Sequence, residues 1–364
     1  MKRFPILLLM ICLLLSGCMT WFDGNYHSVS PHQEHGNQPD TDNMRASKYT
    51  DLLFSLEQMI HFCTENGVIN VEQYDQSQIS QDMDRAVADI QQNNPIGAYA
   101  VKQIRYEIGT SAGQPAVAVS ISYVRTLSEI RKVRSPADSD MAKSFVTAAL
   151  DECAPELVMY LNDLFIADFG QWIDDYATLH PDVVMEIPTI SVNYYPETGV
   201  DRIVELKFIY QTSRETLRNY QSRVLPIFEA AQLYVSGDGS DAQKYAQLYS
   251  FLMERYDYQY QTSITPSYSL LIHGVGDAKA FATAYAAMCR RAGLECRTVS
   301  GTRDGEAWFW NLILMDETYV HLDLLRSNQN GAFRTYTDEQ MNGYVWDYSA
   351  YPTAYADTAP ANVP

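Results

Sequence analysis

The chain has 364 residues and a formal net charge of −19 at pH 7, with 46% hydrophobic residues. A surface this acidic repels phosphate backbones and disfavours nucleic acid as a partner, whereas cationic peptides, polyamines, metal ions or a purely solubilising role are compatible with it. The cysteines after residue 18 are Cys63, Cys153, Cys289 and Cys296. They are too widely spaced for a disulfide framework and form no Cys-x-x-Cys or Cys/His cluster, so at most one disulfide bridge is expected and neither a metal site nor a cofactor is predicted.

The first 17 residues have the pattern of a secretory signal peptide. Lys2 and Arg3 precede an apolar stretch over residues 6–15, which is too short for a permanent membrane-spanning helix. Residues 15–18 read Leu-Ser-Gly-Cys and resemble the bacterial lipobox, which implies cleavage before Cys18 and attachment of lipid to that cysteine. An ordinary signal peptide cut nearby is the alternative. We expect an extracytoplasmic lipoprotein anchored to the bacterial cell membrane through Cys18.

A flexible tether is predicted over residues 18–47, which are polar and rich in His, Asn, Gln, Pro and Asp. The folded part is predicted to begin with a helix near Tyr49, where apolar residues recur at helical spacing. This helix and the strand patterns described next predict an N-terminal α+β domain over residues 48–225.

Two β-hairpin/helix modules, which suggest an internal repeat, are predicted in the N-terminal domain. The paired strands are predicted at residues 103–108 with 116–124, and at residues 191–194 with 204–210. In each module the second strand ends in a tyrosine, Tyr123 or Tyr210, and leads into a charged amphipathic segment. Between the modules, an apolar stripe predicts one long helix over residues 155–179.

A C-terminal domain is predicted over residues 226–352. Ser240 begins a helix with a capping box. The glycine turn over residues 274–276 then leads into an alanine-rich helix that Asp277 would cap, and strands follow it. The predicted strands are residues 296–300, 308–315 and 319–325. Residues 353–364 are predicted to form a disordered tail.

Three motifs between Gly274 and Asp323 have the layout of a thiol-enzyme core. The chain reads Gly-Val-Gly-Asp-Ala-Lys-Ala-Phe-Ala from Gly274 and Trp-Phe-Trp-Asn from Trp308, and it reaches Asp323 through a hydrophobic strand. This layout resembles the bacterial transglutaminase-like domain of the papain-like transglutaminase and cysteine protease superfamily. The resemblance covers about residues 240–352 and implies an α+β fold, a papain-like core with a helix packed on an antiparallel sheet.

The resemblance places the three catalytic positions on Ala278, Trp308 and Asp323. In the family a thiolate attacks an acyl carbon, a histidine passes the proton and a carboxylate orients the ring. The methyl group of Ala278 cannot attack, and the indole of Trp308 has no basic nitrogen near neutral pH. The resemblance therefore implies a pseudoenzyme that retains only Asp323. The alternative is an active acyltransferase or cysteine protease with a displaced nucleophile.

The displaced nucleophile of that alternative would be one of two cysteines, assisted by one of two histidines. The candidates are Cys289, Cys296, His273 and His321. His321 alternates with Asp323 along the same strand face, so it is also a candidate partner for that carboxylate. Both cysteines also fit a simpler interpretation as small buried apolar residues.

Trp308 and Trp310 alternate on one strand face and suggest what an inactive core would do. An indole at position 308 either fills the relic cleft, which would leave a scaffold for a larger assembly, or forms the floor of a groove. Aromatic faces suit sugar rings and peptide side chains, and Glu306 and His273 are further candidate contacts. A cell-wall glycan, a peptide or an envelope protein is the expected partner of such a binding or scaffolding module.

Overall fold

The computed structural model describes residues 44–162, 168–235 and 237–355. The predicted signal peptide, the lipidation site at Cys18 and most of the predicted tether and tail lie outside these residues. The described chain divides into two compact units, residues 44–90 with 101–124 and residues 91–100 with 125–355. No helix in the described residues is long and apolar enough to cross a membrane.

The described residues contain eleven α-helices and thirteen strands. The helices are α1 (Tyr49–His61), α2 (Ile79–Gln92), α3 (Pro95–Ala100), α4 (Leu127–Ile130), α5 (Ser139–Asp151), α6 (Phe169–Leu179), α7 (Arg214–Tyr234), α8 (Asp241–Met253), α9 (Pro266–His273), α10 (Ala278–Arg291) and α11 (Leu324–Gln329). The strands are β1 (Met44–Arg45), β2 (Asn66–Asn70), β3 (Val101–Ser111), β4 (Gln114–Tyr123), β5 (Glu156–Leu161), β6 (Thr189–Tyr195), β7 (Arg202–Ile209), β8 (Asp257–Tyr258), β9 (Val275–Gly276), β10 (Cys296–Arg303), β11 (Glu306–Met315), β12 (Thr318–Leu322) and β13 (Tyr344–Trp346). A 3-10 turn over Asp338–Gln340 completes the elements.

The first unit is a four-stranded sheet in the order β1-β2-β4-β3, with helices α1 and α2. The buried residues of α1 recur every three or four positions, so this helix has one apolar face. The β3–β4 hairpin closes through Ala112 and Gly113, which both have positive φ, as two-residue hairpin turns require. Met44 and Arg45, which were predicted to belong to the tether, instead pair in parallel with β2.

The second unit begins with a three-stranded antiparallel sheet in the order β5-β7-β6. Its chain order of helix, strand, helix and hairpin repeats that of the first unit, and in both units the first strand of the module pairs with the last. Each predicted hairpin is present and is followed by a helix, α4 after β3–β4 and α7 after β6–β7, so the two predicted β-hairpin/helix modules are confirmed, whereas the internal repeat stays a prediction. The long helix predicted over residues 155–179 is wrong, because β5 occupies Glu156–Leu161 and the helix starts only at Phe169. A strand buried on both faces reads as a continuous apolar run, which also fits a helix.

The C-terminal sheet has the antiparallel order β12-β11-β10-β13, and α10 packs against β10 and β11. The alanines of α10 are buried and allow this close approach, so the predicted α+β arrangement of a helix on an antiparallel sheet is confirmed. A Cβ at Gly301 would lie 2.3 Å from the carbonyl oxygen of Val345, so the close approach of β13 at this position requires a glycine. The predicted domain boundary at residue 226 lies inside α7, at Pro226, and stays a prediction.

Candidate functional site

Ala278 occupies the first position of α10, where the resemblance places a nucleophile. Helix α9 ends at Gly274, whose φ of 85° turns the chain, and β9 leads to the N-cap of α10. Asp277 caps α10 because its Oδ1 accepts a 2.8 Å hydrogen bond from the backbone N–H of Ala280. The helix start predicted from the glycine turn is therefore present, but it carries a methyl group.

Trp308 and Asp323 lie side by side, as the resemblance requires of the second and third catalytic positions. Strand β11 pairs with β12, and Asp323 directly follows β12. The indole Nε1–H of Trp308 donates a 2.9 Å hydrogen bond to Oδ2 of Asp323. The indole thus makes the bond to the carboxylate that a histidine N–H would make, but it has no second nitrogen that could take a proton.

The Asp323 carboxylate is 1% exposed and accepts hydrogen bonds at both oxygens. Its Oδ2 accepts from the Tyr344 hydroxyl at 2.6 Å and lies 3.5 Å from Nη1 of Arg303. Its Oδ1 accepts from the backbone N–H groups of Leu325 and Arg326, both at 3.0 Å, and thereby caps α11. Burial and the nearby Asp323 charge raise the pKa of Tyr344, so its hydroxyl keeps its proton.

Tyr344 and Arg303 were not predicted as site residues. Both lie outside the three motifs, and only the pairing of β13 with β10 brings them to Asp323, since Arg303 and Tyr344 are partners in that register. The available signal was the aromatic segment Tyr-Val-Trp from Tyr344, whose residue types favour a strand.

A cavity of about 510 Å³ opens beside Ala278 and Trp308. Its apolar lining consists of four aromatic residues and two alanines: Tyr258, Tyr260, Trp308, Phe309, Ala278 and Ala307. Its polar lining consists of Gln261, Thr262, Asp277 and Lys279. Trp308 is half-buried and forms part of the wall, so its indole has not filled the space in front of Ala278.

Trp310 and His321 form a separate buried network. Trp310 donates its Nε1–H to Nδ1 of His321 at 2.9 Å, and Nε2 of His321 lies 2.8 Å from Oδ1 of Asp338. Because an indole N–H can only donate, Nδ1 of His321 accepts and Nε2–H donates to Asp338. The same Oδ1 accepts from the backbone N–H of Ala354, which was predicted to belong to the disordered tail but is buried.

The suggested pairing of His321 with Asp323 is wrong. His321 hydrogen-bonds Asp338 instead, because Asp323 ends the strand and turns into the first turn of α11, where it serves as the N-cap. Burial lowers the pKa of His321, although the Asp338 carboxylate opposes this shift. The ring is 0% exposed, so it does not reach the cavity.

The two candidate displaced nucleophiles lie in the hydrophobic core. Cys289 and Cys296 are both buried and free of disulfide bonds, and neither is among the described residues that line the cavity. Burial raises the pKa of the Cys289 thiol, and a hydrogen bond with Cys296 raises it further. A thiolate, the reactive form, is therefore disfavoured at Cys289.

His273 and Glu306, the other candidate ligand contacts, are exposed and do not belong to the described cavity lining. The ring of His273 stands edge-on to Tyr268 with a centroid distance of 5.0 Å. Glu306 lies near the cavity, since its Oε2 is 3.5 Å from the hydroxyl of Tyr260. Among the described residues, no group of three or more His, Cys, Asp or Glu side chains is arranged to hold a metal ion.

Comparison with known proteins gives one family match and several distant structural matches. Residues 229–356 match the family model of the transglutaminase-like superfamily. No curated protein sequence matches the chain. The chain spans less than two thirds of the length of the first two solved structures that it matches.

Three of the solved structures that the chain resembles illustrate the distance. The crystal structure of a TGase is 9% identical, with 61% of this chain and 66% of that chain covered and a TM-score of 0.26. A proposed protease from Parabacteroides distasonis is 9% identical, with coverages of 60% and 35% and a TM-score of 0.23. A proposed cysteine protease from Cytophaga hutchinsonii is 14% identical, with coverages of 48% and 73% and a TM-score of 0.25.

Proposed function

Because residues 229–356 form a transglutaminase-like domain, we propose that the protein is a catalytically inactive member of that superfamily which acts as a binding module. The observation that carries the proposal is the open cavity of about 510 Å³ between Ala278 and Trp308. Acyl transfer by this family's chemistry needs a thiolate and a base, and these two side chains supply neither. The cavity is present, but its described lining contains neither a thiol nor an imidazole.

The proposed place of action is the outer face of a bacterial cell membrane. The support for this is the sequence alone: a signal-peptide pattern, the Leu-Ser-Gly-Cys motif that ends at Cys18, and the polar segment over residues 18–47. Lipid on Cys18 would hold the protein at the membrane, and the tether would let it reach its partner. A cell-wall glycan, a peptide or an envelope protein is the partner that such a position offers.

The geometry favours a binding module over an enzyme with a displaced nucleophile. The two candidate thiols, Cys289 and Cys296, are buried in the core and do not line the cavity. It also favours a binding module over a filled scaffold, because Trp308 remains half-buried and leaves the cavity open. Concave sites lined by aromatic groups and a few polar groups are typical of ligand-binding pockets.

Binding is tested by sedimentation of the full-length protein with purified cell-wall sacculi and with membrane fractions. We expect the protein to sediment with one of these fractions and Trp308→Ala to reduce the bound amount about tenfold. The matched control is Tyr355→Ala, since Tyr355 is 65% exposed and lies outside the cavity. Failure of the unchanged protein to bind any envelope fraction would contradict the proposal.

Catalytic inactivity needs its own assay. The full-length protein is incubated with glutamine-containing peptides and with an amine acceptor, and release of ammonia is measured. We expect none above the background without protein. Ammonia release that iodoacetamide or Cys289→Ser abolishes would show that the displaced-nucleophile alternative is correct.

A further inference from the structure

The lining of the cavity indicates the chemical class of its ligand, and this inference rests on the proposed function. Every apolar side chain larger than alanine in the lining is aromatic; among the described residues that form it, none is Val, Leu, Ile or Met. Pockets for apolar peptide side chains rely on hydrophobic groups generally, whereas flat aromatic faces also suit the C–H face of a sugar ring. We propose that the cavity binds a neutral saccharide, with one ring stacked on Trp308.

Trp308 is held in a fixed orientation before any ligand arrives. Its Nε1–H is bonded to Asp323, and the guanidinium of Arg303 lies over the indole, 5.2 Å from the ring centroid. Arg303 is not among the described residues that line the cavity. A platform that is already oriented loses little side-chain freedom on binding, which favours affinity.

Tyr258 gives the cavity a second aromatic wall. Its ring centroid lies 5.8 Å from that of Trp308, and the two ring planes are inclined by 54°. Burial raises the pKa of the Tyr258 phenol, so the hydroxyl stays protonated and can donate a hydrogen bond. At this separation the two rings touch, so they form one bent aromatic surface on which a sugar ring can lie.

The polar lining is neutral in sum although the chain has a net charge of −19. Asp277 and Lys279 contribute one charge of each sign, on either side of Ala278, and Gln261 and Thr262 are uncharged. Together these groups supply hydrogen-bond donors and acceptors but no net charge that would attract an ion. Hydroxyl and acetamido groups of a neutral sugar use both kinds of partner, whereas a strongly cationic ligand would face Lys279 at close range.

The ligand class is tested by isothermal titration of the full-length protein with two separate probes. One probe is a tetramer of N-acetylglucosamine without peptide, and the other is the tetrapeptide portion of cell wall without sugar. We expect saturable binding of the tetramer and none of the tetrapeptide. Trp308→Ala should weaken tetramer binding about tenfold, as expected for one lost aromatic contact.

A second variant keeps the result interpretable if Trp308→Ala fails to fold. Tyr260 lines the cavity and is 71% exposed, so Tyr260→Ala should leave the fold intact and weaken tetramer binding about threefold. Tyr355→Ala should bind as the unchanged protein does. Binding that is equal in all three variants would place the sugar outside the cavity and overturn the inference.

The two probes separate this inference from the proposed function. Binding of the tetrapeptide alone would overturn the saccharide assignment and leave the binding module in place. Binding of neither probe would also overturn the saccharide assignment, while sedimentation with sacculi or membrane fractions would still decide the proposed function. Binding of the tetramer that depends on Trp308 and Tyr260 supports the inference.

Discussion

Two tryptophans on one strand face make the same kind of hydrogen bond in two different surroundings. Trp308 donates to Asp323 and borders an open cavity, and we call this pair the Trp308 corner. Trp310 donates to His321, which hydrogen-bonds Asp338 in turn, and we call Trp310 and His321 the Trp310 corner. Trp310 is 1% exposed, whereas Trp308 is half-buried.

This difference shows that a hydrogen-bonded indole N–H occurs both in a packed core and beside an open cavity. The hydrogen bond alone therefore does not distinguish a structural tryptophan from a ligand-binding one. In the Trp310 corner the ring is also surrounded by Tyr344 and Trp346, at centroid distances of 5.2 and 5.7 Å. In the Trp308 corner one side of the ring borders the cavity, which a ligand can occupy. We therefore expect changes at Trp310 to alter stability and changes at Trp308 to alter binding.

The largest effect is expected from Trp310→Ala. Removing a fully buried indole leaves a cavity and an unsatisfied acceptor at Nδ1 of His321, and should lower the free energy of unfolding by about 3–5 kcal/mol. Urea unfolding followed by circular dichroism measures this loss. A loss below about 1 kcal/mol would show that the Trp310 corner is not the structural one.

Asp323→Ala should be the next most damaging change. It removes the N-cap of α11 and leaves the Tyr344 hydroxyl and the Trp308 indole N–H without their shared acceptor. We expect a loss of about 2–4 kcal/mol, from one cap and the buried donors. Equilibrium unfolding of Asp323→Asn, which keeps the size and one acceptor oxygen, is the control and should show a smaller loss.

Trp308→Phe sharpens the comparison because it keeps an aromatic face, although a smaller one, and removes the N–H. Asp323 retains its bonds from Tyr344 and from the α11 backbone, so the expected loss of stability is about 1 kcal/mol. Binding of the N-acetylglucosamine tetramer should remain within about threefold of the unchanged protein. A loss as large as that of Trp308→Ala would mean that an aromatic ring at position 308 is not sufficient for binding, and that the N–H or the full area of the indole is required.

The smallest effect is expected from the single proton of His321. Its pKa in the folded state is lowered by burial, so below about pH 6.5 the unfolded chain binds a proton that the folded protein does not. The free energy of unfolding should therefore fall as the pH drops from about 6.5 and stop falling below the folded pKa. Urea unfolding at pH 7.5 and 5.5 measures the slope.

His321→Gln supplies the comparison for that measurement. Glutamine cannot take up the proton, so the difference in stability between the two pH values should shrink in this variant. His180, whose pKa is also lowered by burial, contributes to the slope in both proteins and cancels in the comparison. An unchanged slope would mean that His321 does not titrate with unfolding.

The repeated modules show how much of the fold the sequence predicts. The hairpins β3–β4 and β6–β7 were predicted because their strands alternate and are separated by turn residues. The helix-strand portion that precedes each hairpin was not recognised as part of the repeat. The structure shows the correspondence: Cys63 and Cys153 follow the first helix of each module with φ of 54° and 48°, and the residue after each bonds back to the helix.

The candidate site was predicted in part. Its three motif positions, Ala278, Trp308 and Asp323, lie together as the resemblance implies, and Trp310 is buried beside them. The partner of His321 and the presence of Arg303 at Asp323 were not predicted. Both depend on contacts between segments far apart in the chain, which local spacing does not encode.

The amino-acid sequence by itself determined the α+β character, the helix start at Asp277 and the side chains at the three positions that the resemblance marks as catalytic. These features depend only on neighbouring residues and on residue identity. Only the tertiary structure decided that Trp308 leaves a cavity open while Trp310 is fully buried. The reason is that exposure depends on what the rest of the chain packs against a side chain. Here β13 and the segment that ends at Ala354 cover one tryptophan and leave the other at the cavity.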